Sequence, residues 1–202
     1  MKGVSMITAG NIIHRTSVGL LFGALVAGCA PTPAMLKAMQ HYSISAQFDF
    51  SKPWRIAVLP VQLGGDSDNA IGTDLVERAQ MQLMKVLNFS VVDRSAVEAV
   101  LKEQEFSYSG VVDPQTAARL GKLMGASAVM LIKIGQVKHD PFFSDSPNQR
   151  DAQLNVRIIS VETGEVLYSA QGEGSSFEGA GDALASALDV ALLPLLEKGG
   201  VK

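Results

Sequence analysis

The sequence predicts an α/β fold, a three-layer-like sandwich in which a mixed sheet of about five strands carries helices on both faces. Three observations lead there. Two runs, residues 55–61 and 128–134, are almost continuously apolar, as strands covered on both faces are. Between them lie amphipathic stretches with helix start and stop signals. A third region, residues 152–172, alternates apolar and polar residues around a Thr-Gly turn, the pattern of a hairpin with one wetter face.

The elements follow in order. Residues 43–50 alternate weakly and read as an edge strand or an arm onto a neighbour. The strand at 55–61 ends near Pro60, which removes one ladder hydrogen bond. The Gly-rich segment 64–69 is a loop. A helix over about 70–87 places Ile71, Leu75, Ala79, Leu83 and Val86 near one face. Residues 89–93 form a short strand. Ser95-Ala-Val-Glu98 has the form of a capping box, with Ser95 as the cap of a helix. Asp113-Pro-Gln-Thr116 opens the next helix, Asp as N-cap and Pro in the first turn, and Gly125 closes it. The strand at 128–134 follows. The alternating residues 152–163, the turn at 162–165 and the returning strand 166–172 make the hairpin. An Ala- and Leu-rich helix runs over about 181–196. Strands and helices in this order give an α/β sandwich with mixed strand directions.

The N-terminal region sets a location. Lys2, His14 and Arg15 precede an apolar run that ends at Cys29, the single cysteine. A secretory signal has a basic start, an apolar core of roughly 7–15 residues and small residues at the cut. A spanning helix needs roughly 20 apolar residues, and Pro31 and Pro33 close this run too early. Val26-Ala27-Gly28-Cys29 resembles the lipobox of a bacterial lipoprotein. The resemblance implies cleavage after residue 28 and covalent lipid on Cys29. Ala30, where an Asp signals inner-membrane retention, favours the outer membrane, with the domain facing the periplasm of a Gram-negative envelope. The organisation is then a signal at 1–28, a lipidated tether at 29–53 and an α/β domain at 54–198. Removing Lys2 and Arg15 from the 17 basic residues leaves 15 against 20 acidic ones, a net charge of −5. There is no basic stripe with interleaved aromatics, so nucleic acid is not an expected partner. A lipidated Cys29 leaves no thiol for a disulfide.

Several segments together resemble one family. They are Ile56-Ala-Val-Leu-Pro60, the block from Val91 to Gln104, Ser109-Gly110, the block from Thr116 to Val129, and Val161-Glu-Thr-Gly-Glu-Val-Leu167. Their order and spacing are similar to the CsgG/HfaB family, the curli-type secretion lipoproteins of the outer membrane. Wider relatives with the fold of the TolB N-terminal domain include a lipoprotein of polysaccharide export and lipoprotein activators of penicillin-binding proteins. The resemblance implies a non-enzymatic lipoprotein that oligomerises, as a ring, in secretion or assembly at the cell envelope. Its alternatives are a regulator of a peptidoglycan synthase and an accessory lipoprotein of polysaccharide export. Channel-forming members add long hairpins to a shared barrel. A spanning strand needs about 9–11 alternating residues. Residues 135–153 carry two prolines and many charges, and 169–181 are too few for two such strands, so the barrel hairpins are expected to be absent.

Candidate chemistry is sparse. Asp66 and Asp68 read as a helix cap and solvated turn, without the Lys and Ser/Thr of a phosphate loop. His139 and Asp140 have no second His nearby, and Ser175 and Ser176 have no His and acid partners. No catalytic group, metal or cofactor is expected beyond the lipid on Cys29. Phe142 and Phe143, between prolines, read as a contact for a partner or membrane, or as local packing. Met81, Met84, Met124 and Met130 are expected in the core.

Overall fold

The computed structural model describes residues 41–62, 69–104, 113–138 and 149–202. Their strands are β1 (His41–Ile44), β2 (Trp54–Val58), β3 (Phe89–Val91), β4 (Ala128–Lys138), β5 (Arg150–Ser160) and β6 (Val166–Ser176). Their helices are α1 (Asn69–Lys85), α2 (Arg94–Glu103), α3 (Pro114–Leu123) and α4 (Ala180–Gly199). One open sheet runs β1-β6-β5-β4-β2-β3 and is not closed into a barrel. β2 is parallel to β3 and β4, whereas β4, β5, β6 and β1 pair antiparallel. The mixed α/β class holds, with six strands where about five were expected.

The sixth strand is β1. Its His41 to Ile44 pair with Gln171 to Tyr168 at the sheet edge. The chain then crosses the lower end of the sheet to β2. Phe48 is buried among Phe50, Trp54 and Phe89, with ring centroids 4.9 to 5.7 Å away. The Trp54 indole N–H donates to the Asp49 carbonyl at 2.9 Å, and Asn88 Nδ2 donates to the Phe50 carbonyl at 2.8 Å. Residues 41–53 therefore pack onto the domain, where the sequence reads them as the end of a tether. Prolines and serines marked the segment as irregular, but its aromatics bury too much apolar area to stay free.

α1 and α4 cover one face of the sheet. Leu75, Ala79 and Leu83 of α1, and Ala183, Leu184, Ala187, Leu188, Ala191 and Leu192 of α4, pack on Ile56, Met130, Ile132, Leu154, Val156 and Ile158. α4 lies close on β6 because Gly172 and Gly174 have no side chains. A Cβ on Gly172 would meet the Ala187 carbonyl oxygen at 1.9 Å, and one on Gly174 would meet that of Ala183 at 2.3 Å. α4 also continues through Pro194, one turn beyond the predicted end.

α2 and α3 cover part of the other face. Val97, Leu101, Ala117, Leu120 and Met124 pack on Ala57, Leu59, Val129, Leu131 and Ile159. The cap of α2 differs from the predicted capping box. Asp93, not Ser95, is the N-cap, and its carboxylate accepts from the Ser95 backbone N–H at 2.8 Å and from the Ser95 hydroxyl. Those bonds hold the Asp93 carboxyl below its usual range. Glu98 pairs instead with Arg94, one turn back. Asp113 caps α3 as predicted, accepting from the backbone N–H groups of Gln115 and Thr116, and Gly125 follows the helix at φ +63°.

Met124 and Met130 are buried, but Met81 and Met84 are 54% and 50% exposed, against expectation. The buried residues Leu75, Ala79 and Leu83 recur every fourth position, and Met81 stands two positions away, on the far side of the helix.

Candidate functional site

The two helical layers are unequal, and the difference creates the site. α2 and α3 end their cover at Leu131 and Ile159. Beyond that line the sheet face opposite α4 carries polar side chains. On β5 the buried residues Ala152, Leu154, Val156 and Ile158 face α4, so Asp151, Gln153, Asn155 and Arg157 point the other way. Register extends these positions across neighbouring strands. Arg157 stands beside Ser169, Asn155 beside Lys133 and Gln171, Gln153 beside Glu173, and Asp151 beside Lys138 and Ser175. β1 adds His41 and Ser43, opposite Gln171 and Ser169. The result is an uncovered sheet face of amides, hydroxyls and charges.

Charge is unevenly spread along it, with both carboxylates at one end beside Lys138. Lys133 and Arg157 lie on adjacent strands beside the covered zone, and neither has an ion pair among the described residues. Towards the opposite end stand Asp151 and Glu173. Gln153 Nε2 and Gln171 Nε2 both donate to Glu173 Oε1, at 3.1 and 3.2 Å. Gln149 Nε2 donates to Asp151 Oδ1 at 3.0 Å.

This end also holds a cleft of about 420 Å³, lined by Gln136, Lys138, Asp151, Gln153, Glu173 and Ser175 together with Ala152 and Gly174. A β-bulge shapes it. Ile134 pairs with Leu154 and Val137 with Ala152, so Gly135 and Gln136 together face the single residue Gln153. Sequence reasoning missed the site. Residues 135–138 and 150–153 were weighed as a missing barrel hairpin, whereas they extend β4 and β5. The available signal was the wetter face noted at Asn155 and Arg157, which continues back through Gln153 and Asp151 but was not followed there or across the sheet.

Cys29, Phe142 and Phe143 are outside the described residues, as are Asp66, Asp68, His139, Asp140 and Gly110. Ser175 lines the cleft; Ser176 stands beside Arg150 in the β5–β6 ladder. Among the described residues, no group of three His, Cys, Asp or Glu side chains is placed to hold a metal, and no helix is long and apolar enough to cross a membrane.

Comparison with known proteins gives the chain its kin. The family model described as peptidoglycan-synthase activator LpoB matches residues 37–173, from just before β1 almost to the end of β6. That span contains nearly all of the open face. No curated protein matches the chain. Among solved structures, lipoprotein GNA1162 from Neisseria meningitidis is similar at 18% identity, covering 72% of this chain and 99% of that one with a TM-score of 0.51. The LpoB C-terminal domain from Escherichia coli aligns at 18% identity over 71% of this chain and 94% of that one, TM-score 0.46. The PelC dodecamer from Paraburkholderia phytofirmans aligns at 14% identity over 77% and 95%, TM-score 0.49.

These findings correct the expected membership in the CsgG/HfaB family, and with it the expected role in curli-type secretion. The segments that carried that resemblance build β2, β3, α2, α3, the start of β4 and the β5–β6 turn. They form the framework of the domain and report its architecture, not the branch within it. The family match settles the branch: the chain belongs to the peptidoglycan-synthase activator LpoB family.

Proposed function

We propose that this protein is a lipid-anchored, periplasm-facing regulator of the outer membrane that binds and activates a peptidoglycan synthase of the penicillin-binding protein class. The match to the activator family over residues 37–173 is the observation that carries the reading. The open face of β4, β5, β6 and β1 is the docking surface. It is the broad side of the sheet that neither helical layer covers, and it lies almost wholly within the matched span. Lys133 and Arg157 lead the contact, since cations with no ion pair among the described residues meet carboxylates on a partner at little cost. Action is by binding, without turnover. Cys29 bears the lipid, and the chain between it and β1 keeps the domain near the membrane. Phe142 and Phe143, which lie in sequence between β4 and β5, are further candidates for contact with the partner or the membrane.

The reading is tested by capture. The chain, immobilised through a C-terminal tag, is mixed with detergent-solubilised membranes of its own bacterium. It retains a penicillin-binding protein, detected with a fluorescent β-lactam, and the Lys133→Glu, Arg157→Glu double variant retains far less. Equal retention by both would remove the open face from the interface. Retention of no penicillin-binding protein by the wild-type chain would defeat the reading.

A further inference from the structure

The cleft at the acidic end of the open face has a chemistry that docking a protein does not use up. Its size, about 420 Å³, falls in the range of roughly 300–1,000 Å³ common to small-molecule sites. Among the described residues, six of the eight that line it are polar, Ala152 is the one apolar side chain and none is aromatic. Lys138 and Asp151 are direct partners in the β4–β5 ladder, yet no ion pair within 4.0 Å closes between them. Opposite charges on adjacent strands normally meet; here they flank a gap. Glu173 is set for a ligand by Gln153 and Gln171, whose amides converge on Oε1 and leave Oε2 clear of them. The bulge sets Gly135 and Gln136 opposite the single residue Gln153 at the edge of the cleft.

We propose that this cleft binds a zwitterionic amino-acid head, an ammonium and a carboxylate borne on one carbon. The ammonium lies between Asp151 and Glu173, and the carboxylate meets Lys138 and the Ser175 hydroxyl. Two acceptors and one cation, placed on three neighbouring strands, satisfy both charges of such a head at once. A simple cation would leave Lys138 facing it, and a simple anion would face two carboxylates. The natural source is the free head of a diamino acid in a cell-wall peptide. That source rests on the synthase-activator reading, whereas the zwitterion chemistry rests on the cleft alone.

The test is a titration followed by amide chemical shifts of the isotope-labelled mature chain, carried as Cys29→Ser and without any synthase. The probes are meso-diaminopimelate, cadaverine, glutarate and a soluble muropeptide with a free diaminopimelate head. The expected result is saturable shifts at Lys138, Gln153 and Gly174 with diaminopimelate and the muropeptide, at an affinity on the order of 1 mM, and at least about tenfold weaker responses to cadaverine and glutarate. Lys138→Ala weakens diaminopimelate about tenfold and strengthens cadaverine, whose ammonium then meets no facing cation, while Lys138→Arg retains diaminopimelate binding. An absence of saturable shifts, shifts centred elsewhere, or equal binding of cadaverine overturns the proposal. Binding of diaminopimelate but not of the muropeptide overturns the wall-peptide source. None of these results depends on synthase capture, so the two readings fail separately.

Discussion

Asp189 ties the two helices of the larger layer together. Arg78 donates to both its oxygens, at 3.0 and 2.5 Å, and Gln82 donates to Oδ1 at 2.8 Å. Burial alone would raise the Asp189 carboxyl, but the bonds from Arg78 and Gln82 outweigh it and hold it below the usual range. A depressed carboxyl stabilises the fold above its unfolded value of about 3.9, and the benefit disappears as pH falls through the lower folded value. Because the pair is over a third exposed, its worth is about 0.5–1 kcal/mol. Asp189→Asn should therefore lower urea-unfolding stability by about that much at pH 7, and the difference should close once pH has fallen through the depressed folded value. A gap that persists there would assign the loss to packing. Residue-level reading from sequence succeeded where one local rule decides the outcome, as at Asp113 and Gly125. It failed where two rules compete. At α2 both Asp93 and Ser95 can cap, and the carboxylate, one bend earlier, takes both Ser95 donors.

Among the elements, α4 and β6 form the tightest junction. Ala183, Ala187 and Ala191 recur at helical spacing against Gly172 and Gly174, so helix backbone meets strand backbone. Tyr168 anchors the same junction, its buried hydroxyl donating to the Ala191 carbonyl at 2.5 Å, and burial raises that phenol well above its ordinary value. Gly172→Val must push α4 off the sheet and should cost at least about 2–3 kcal/mol, read as a lowered urea midpoint. A stability within error of wild type would mean that α4 does not sit where the ladder places it. Most elements were legible because each carries its own period and its own punctuation. The far ends of β4, β5 and β6, at 135–138, 150–151 and 173–176, were not. These stretches carry polar residues, and a strand end with one wet face beyond a helical layer reads like a loop. β1 was legible only as an alternative, since four residues at an edge give too little alternation to decide.

On the scale of the whole molecule, the described residues form an asymmetric sandwich. One helical layer is complete and makes the core; the other stops short and leaves a broad polar surface. Framework residues dominate any resemblance seen in the sequence, which is why those segments pointed to a secretion branch when the chain belongs to the activator family. Location is a property of the same scale. With an open sheet, the lipid on Cys29 is the expected hold on the membrane. Cys29→Ser should shift the protein from the membrane fraction to the soluble periplasmic fraction while its circular dichroism stays unchanged; persistence in membranes after a salt wash would point to a second attachment. The central claim is that the uncovered face of β4, β5, β6 and β1 activates a peptidoglycan synthase. The most direct measurement is the rate of glycan-strand polymerisation by the purified synthase of the same bacterium, with and without the protein. The wild-type chain should raise that rate, and the folded Lys133→Glu, Arg157→Glu variant should lose most of the gain. An unchanged rate with the wild-type chain, or full activation by the double variant, would contradict the account.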